Sequence, residues 1–275
     1  MQYTPYQVKK ILDKYHFNTK KKYGQNFIID ENIINKIIDK SLIDNTTLVI
    51  EIGPGIGALT TKLAKVAQNV LCYEIDKNLK DILDNVLTEY NNVEIIYNDF
   101  LKCHVLEDIK KYQYKKLYIV ANLPYYITTP IIFKVIEDNL PVDKMIIMVQ
   151  KEVGDRFKAK LGTKDYGSLT VFLNYYYEIN KIMDVSRNVF IPKPNVDSIV
   201  VEFIKKKQLP SLKNEDLFFK LVKDSFKQKR KTLKNNLKGY DLVKINEVLN
   251  KYNLDLQVRA ENLSLDIFIE IANNL

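Results

Sequence analysis

Leu48-Val-Ile-Glu51-Ile-Gly53-Pro-Gly55-Ile-Gly57 decides the fold of this chain. Leu48–Ile52 is an apolar run of strand length, and three alternating glycines follow it directly. Gly53, Gly55 and Gly57 let the backbone turn tightly and come close to a ligand. A helical pattern over Leu59–Ala67 comes next. Outward from this unit the same alternation repeats. Strands are predicted at Asn69–Tyr73, Val93–Tyr97, Leu117–Ala121 and Lys144–Val149. Helices are predicted at Lys77–Glu89 and at Pro130–Asn139, where Pro130 suits a first helical turn. Strands that alternate with helices imply a parallel sheet covered on both faces, an α/β class of Rossmann-like type.

Ahead of this core, residues 5–16 read as a helix with a basic face, Thr19–Asp30 as a loop and Glu31–Ser41 as a helix. Beyond it, Gly167–Tyr177 and Val196–Phe203 read as later strands of the same sheet. Ile191–Val196 is an extended loop by its prolines. From Asp216 onward only helical patterns remain, roughly at 216–236, 241–251 and 264–273. Two domains are therefore expected: 1–207 with the sheet and 208–275 with a smaller, basic helical bundle.

Charge is uneven. The chain carries a formal net charge of +8. Residues 205–238 hold twelve Lys/Arg against three Asp/Glu, and residues 1–25 hold six Lys against one Asp. A polyanionic partner fits such clusters, and a solvated surface is the plain alternative. Cys72 and Cys103 are too few for a disulfide framework or a cysteine-rich zinc site. His16 and His104 stand apart with no ligand spacing around them, so no metal is expected. There is no apolar signal segment and no run near the roughly 18 residues of a membrane span. A cytoplasmic monomer without membrane attachment is expected.

Strand ends carry the candidate chemistry. Glu51, Glu74 and Asp99 close the first three strands. Glu74 can accept both hydroxyls of a ribose, a role equally open in a nicotinamide-binding site. Asp99 can accept from an adenine amino group, Ile75 can lie against the ring, and Phe100 can close that pocket or belong to the core. Glu51 falls near the loop, toward an amino-acid portion of a ligand. All three acids could instead be helix caps or solvated strand ends. The loop spacing is Gly-x-Gly-x-Gly, not the Gly-x-Gly-x-x-Gly of dinucleotide sites.

The fourth strand runs into Asn122-Leu123-Pro124-Tyr125. Asn-Leu-Pro-Tyr after a strand–glycine-loop–helix unit resembles S-adenosylmethionine-dependent methyltransferases that modify exocyclic amino groups. Such a nitrogen is a poor nucleophile because its lone pair is conjugated with the ring. Acceptors that hold its two hydrogens favour a tetrahedral nitrogen. The Asn122 side-chain oxygen can be one, and the Leu123 or Pro124 carbonyl another. Tyr125 offers a face for an unstacked base. Cys72 lies inside a strand, which disfavours cysteine-dependent methylation of a pyrimidine carbon.

Further segments carry a closer resemblance. They are His16-Phe17, Lys21-Lys22-Tyr23-Gly24-Gln25-Asn26-Phe27-Ile28-Ile29-Asp30, Glu51–Thr60, Asn122–Pro130, Gln150–Val153, Gly162–Ser168, Phe190–Ser198 and Arg259–Ser264. Together they resemble the ribosomal RNA adenine N6-dimethyltransferase family over nearly the whole chain. The resemblance implies S-adenosylmethionine as cofactor. It implies that Gln25, Asn26 and Phe27 enclose the methionine end, and that Gly53 lies at the cofactor loop. Glu74 would bind ribose and Asp99 adenine, with Asn122 as the catalytic acceptor. Tyr125 and Phe190 would sandwich the target adenine, although Phe190 could instead pack between strands. Many members have Asn where this chain has Tyr126. The implied product is N6,N6-dimethyladenosine at two adjacent adenosines near the 3′ end of small-subunit rRNA, made during ribosome maturation. Alternatives are a large-subunit relative that confers antibiotic resistance, a nicotinamide dehydrogenase and a non-catalytic assembly factor. The seven basic residues Lys220, Lys223, Lys227, Lys229, Arg230, Lys231 and Lys234 are the candidates for RNA phosphates, with Phe218, Phe219, Val222, Phe226 and Leu233 inward.

Overall fold

A computed structural model describes residues 3–20 and 23–275; the motif residues Lys21 and Lys22 lie outside the described residues. The chain separates into two compact units, 1–151 with 180–204, and 152–179 with 205–275. Each is described by itself.

The first unit opens with α1 (Pro5–Lys14), capped by Thr4. A two-residue strand β1 (Phe27–Ile28) and α2 (Glu31–Ser41) follow. Then come β2 (Thr47–Ile52), α3 (Thr60–Val66), β3 (Asn69–Tyr73), α4 (Lys80–Val86) and β4 (Val93–Ile96). The chain continues through α5 (Val105–Ile109), β5 (Lys116–Asn122), α6 (Thr128–Glu137) and β6 (Lys144–Gln150). Every residue of β2 is buried, as a strand covered on both faces requires. Strands β2 to β6 pair in parallel, with Glu51 opposite Cys72 and Ile50 opposite Ile119.

After the helices α7 (Lys151–Phe157) and α8 (Ser168–Tyr176) come β7 (Tyr177–Val185), β8 (Phe190–Ile191) and β9 (Ser198–Lys205). The large sheet has the order β4-β3-β2-β5-β6-β9-β7, with β9 antiparallel to β6. Strand β8 pairs with β1 in a separate two-stranded ribbon. The order reverses between β2 and β5. At such a switch point the helices leave to opposite faces, and a crevice opens outside the carboxyl ends of the strands. Glu51 and the glycine loop stand at the end of β2, and Asn122 at the end of β5.

The second unit is helical: α7 and α8 with α9 (Glu215–Ser225), α10 (Leu233–Asn236), α11 (Leu242–Asn250) and α12 (Leu265–Asn274). Its core joins Phe218, Leu221 and Val222 of α9 to Val171 and Leu173 of α8 and Phe268 of α12, all fully or almost fully buried. Phe172 meets Phe219 edge-on at 5.0 Å, and Phe226 meets Phe268 at 5.9 Å. No helix among the described residues is long and apolar enough to cross a membrane.

Three local readings change. The segment expected as a strand at Gly167–Tyr177 is α8. Thr170 through Leu173 are consecutively buried, and a short apolar run with both sides covered suits a buried helix as well as a strand. Thr170 decides the matter: its hydroxyl accepts from the Gly167 N–H at 3.3 Å and donates to the Arg156 carbonyl at 2.8 Å. The true strand follows at Tyr177–Val185. The helix expected over 216–236 breaks after Ser225. Lys227 and Lys231 would stand one turn apart with Lys229 and Arg230 between them, and like charges at that spacing disfavour a helix. The Asn236 amide caps the break, donating to the Ser225 carbonyl at 2.7 Å and the Gln228 carbonyl at 3.2 Å. Residues 152–179, expected within the first domain, belong to the second unit.

Candidate active site

A cleft lies at the carboxyl end of the sheet, with about 770 Å³ of space not filled by protein, solvent at its mouth included. Four segments wall it: Tyr23–Ile28, Gly53–Leu59, Glu74–Ile75 with Leu79, and Asn122–Tyr125; Glu51 lies at its floor. All of them belong to the first unit.

The glycine loop fits its role sterically. Gly53 has φ +75°, and a Cβ there would meet nothing within 4 Å, so the backbone borders open space. Gly55 has φ +59°, and a Cβ there would come within 3.0 Å of the Phe27 ring. Only glycine allows the loop and the N-terminal wall to approach this closely.

Two carboxylates face this space and both are nearly buried, Glu51 at 1% and Glu74 at 4% exposure. Burial raises Glu51 to about 8 and Glu74 to about 7. Glu74 is held at both oxygens: Oε2 accepts the Gly55 N–H at 3.2 Å and Oε1 the Asp76 N–H at 2.8 Å. Ile75, beside it, is 41% exposed, an apolar surface ready for a ring. Among the described residues that line the cleft there is no Lys or Arg. A pyrophosphate would meet two acids and no cation among these residues, whereas a sulfonium would favour the ionised form of those acids.

Asn122 closes the far side. Its Nδ2 donates to the Asn26 carbonyl at 3.0 Å, which orients the side chain and leaves Oδ1 as an acceptor. The Pro124 carbonyl is engaged by the Ile127 N–H at 3.1 Å and the Thr128 hydroxyl at 3.4 Å. The Pro124 carbonyl is thus already bonded within the loop. The Tyr125 hydroxyl lies 2.9 Å from Ser198 Oγ, which fixes the ring.

Most sequence-predicted residues thus meet in one place: Gln25, Asn26, Phe27, Glu51, Gly53, Gly55, Glu74, Ile75, Asn122, Leu123, Pro124 and Tyr125 all line the cleft. Asp99, Phe100 and Phe190 are not among its lining residues. Asp99 accepts the Leu101 N–H at 3.0 Å and caps a short helical turn. Phe100 is 3% exposed and packs edge-on against Tyr73. Phe190 is also 3% exposed and belongs to the apolar core through the ribbon it shares with Ile28. Tyr23 and Gly24 line the cleft without having been singled out, and Asp76 braces it from behind. Tyr23 and Gly24 had a signal in the sequence, since they precede the Gln25–Phe27 motif; Asp76 follows Glu74 by two residues, but its partners are brought to it only by the fold.

The sheet order, the glycine loop and the acid-lined cleft define a Rossmann-like S-adenosylmethionine-dependent methyltransferase. Residues 16–275 match the model of the family described as ribosomal RNA adenine dimethylase, and the chain belongs to that family. It is 46% identical over 282 residues to ribosomal RNA small subunit methyltransferase A of Bacillus mycoides, covering 99% of this chain and 96% of the relative. The Bacillus cereus protein of the same name matches equally well, again at 46% identity. Among solved structures, a dimethyladenosine transferase from Plasmodium falciparum is similar with a TM-score of 0.73 and 27% identity, covering 89% of this chain and 95% of that one. The 23S rRNA methyltransferase ErmE has the same fold, with a TM-score of 0.72 and 24% identity, covering 91% of this chain and 99% of its own.

Proposed function

We propose that this protein transfers methyl groups from S-adenosylmethionine to N6 of two adjacent adenosines near the 3′ end of small-subunit rRNA, giving N6,N6-dimethyladenosine during ribosome maturation. The observation that carries the reading is the meeting of two segments in one cleft. The Glu74 carboxylate, anchored at both oxygens, stands on one wall. The Asn122 amide, anchored by Asn26, stands on the other.

When bound, S-adenosylmethionine supplies an electrophilic methyl group on a sulfonium. Glu74 holds the ribose end and Ile75 supports the adenine. Asp99 takes the adenine amino group with the carboxylate oxygen that its cap leaves free. Phe100 backs that end from the core. Gln25, Asn26 and Phe27 enclose the methionine end with Gly53 and Gly55, and Glu51 adds negative charge at the floor. Asn122 Oδ1 and the Leu123 carbonyl accept the two N6 hydrogens of the target and favour a tetrahedral nitrogen. Pro124 stiffens that backbone. Tyr125 stacks the base, a contact worth about 1–3 kcal/mol. Phe190 completes the sandwich only where the ribbon of β1 and β8 yields to admit the base. Orientation and preorganised dipoles supply the rate. No enzyme-bound covalent intermediate is needed.

Residues 208–275 are proposed to hold the RNA. All seven candidate cations from Lys220 to Lys234 are exposed, and none forms an ion pair among the described residues. Phosphate contacts of this kind make binding salt-dependent. The protein is proposed to act as a cytoplasmic monomer on the small ribosomal subunit.

The test is labelled methyl transfer to immature small subunits and, in parallel, to large-subunit RNA, with mass mapping of the modified nucleosides. Paired dimethyladenosines near the small-subunit 3′ end are expected. A single large-subunit site would move the chain to the resistance-conferring relatives. No transfer to either would leave a binding-only role.

A further inference from the structure

Asp76 is 2% exposed and does not line the cleft, yet three segments converge on it. Its Oδ1 accepts from Lys20 Nζ at 2.9 Å and from the Asn78 N–H at 3.2 Å. Its Oδ2 accepts from Gln25 Nε2 at 2.9 Å. The Gln25 side-chain Oε1 in turn accepts the Lys20 backbone N–H at 2.7 Å, so the two N-terminal residues are tied to each other as well. The Asp76 backbone N–H donates to Glu74 Oε1 at 2.8 Å. One residue therefore grips the N-terminal wall with its side chain and the ribose-side carboxylate with its main chain.

We infer that Asp76 is a positioning residue for the cofactor: it sets the Gln25–Phe27 wall and the Glu74 carboxylate in register without touching the cofactor itself. The inference rests on reading the cleft as the cofactor site.

The plain alternative is a helix cap, because Asp76 precedes the short turn at Lys77–Leu79. Capping uses one oxygen and one backbone N–H. It requires neither burial nor a second oxygen directed at Gln25. A buried carboxylate is costly unless paired and fully hydrogen-bonded. Burial works against the Asp76 charge, but the bonds from Lys20 and Gln25 outweigh it and hold the carboxyl below its usual range. Those two partners lie more than fifty residues away in the chain, on the wall that carries Asn26 and Phe27. Asn26 in turn orients Asn122. A slack wall would loosen the methionine end first.

The experiment is calorimetric titration of S-adenosylmethionine into the full chain, with thermal melting and the KM for RNA measured alongside. Asp76→Asn keeps one oxygen for the Asn78 N–H, so the cap survives, but it cannot serve Lys20 and Gln25 as a carboxylate does. Lys20→Met removes the cation alone from a partly exposed site. Each is expected to weaken cofactor binding by about 5–30-fold, somewhat less than the loss of a charge-assisted hydrogen bond made directly to the ligand. The KM for RNA should stay within about twofold. The double variant should lose no more than the worse single, because both break one network. Unchanged cofactor affinity in both single variants, or losses that simply add, would overturn the inference. If Asp76→Asn does not fold, Lys20→Met decides by the same criterion. Wild-type protein that binds no S-adenosylmethionine would overturn the cofactor reading and this inference with it. Wild-type binding with unaffected variants overturns this inference alone.

Discussion

The two halves of the cleft are built differently. On the cofactor side the chemical groups are buried and already bonded: Glu51 and Glu74 are almost inaccessible, and Glu74 is fixed by two backbone donors. On the proposed target side the groups are mixed, with Leu123 and Phe190 buried. Asn122 and Tyr125 are partly exposed, and Tyr126 beside them is 59% exposed. A small cofactor can be surrounded by a pre-built pocket. A base carried by a polymer must be admitted from outside, so its platform stays accessible and is completed on binding. The comparison predicts that damage to one half leaves binding to the other nearly intact.

The largest effect is expected from Asn122→Ala. It removes an acceptor that acts on the reacting nitrogen, a change of the kind that costs about 10²–10³-fold in rate. Single-turnover methyl transfer with both ligands saturating measures it. Glu74→Ala should come next, weakening S-adenosylmethionine by about 10–100-fold through loss of charge-assisted hydrogen bonds. RNA affinity should hardly change, and a joint loss of both would blur the division.

Tyr125 sharpens the other side. Tyr125→Ala should raise the KM for RNA by about 5–100-fold, whereas Tyr125→Phe keeps the ring and gives up only the Ser198 contact. A Phe variant as weak as Ala would mean that the hydroxyl, not the stack, matters.

The smallest effect is on pH dependence, and its sign is set by burial. Glu51 at about 8 and Glu74 at about 7 hold protons in the folded chain that the unfolded chain would already have released. Unliganded stability therefore falls as pH rises from the ordinary carboxylate range through these values. A positively charged cofactor favours the ionised acids. Its affinity should accordingly rise over the same upper window, by roughly tenfold per pH unit where one net proton is released on binding. Affinity that is flat with pH, measured calorimetrically in buffers of different ionisation enthalpy, would mean that the acids are already charged.

The succession of strands and helices around the glycine loop was legible because it rests on short-range rules. An apolar run ending in Gly-x-Gly-x-Gly, then Glu74 after the next strand, can be read from spacing alone. The error at Gly167–Tyr177 arose where spacing has no force, since a run buried on every side has no period. The broken helix after Ser225 was hidden because its cap, Asn236, lies eleven residues downstream of the carbonyl it satisfies. Asp76 was invisible as more than a turn residue, because Lys20 and Gln25 reach it only through the fold. Phe190 illustrates the opposite limit. Its motif named it, but only packing could report that it sits in the core ribbon.

The division between the halves is tested most directly by titrating S-adenosylmethionine into the protein with no RNA present. A pre-built cofactor pocket predicts saturable binding of one equivalent, with the same affinity in Tyr125→Ala. Binding that appears only after RNA is added would contradict it.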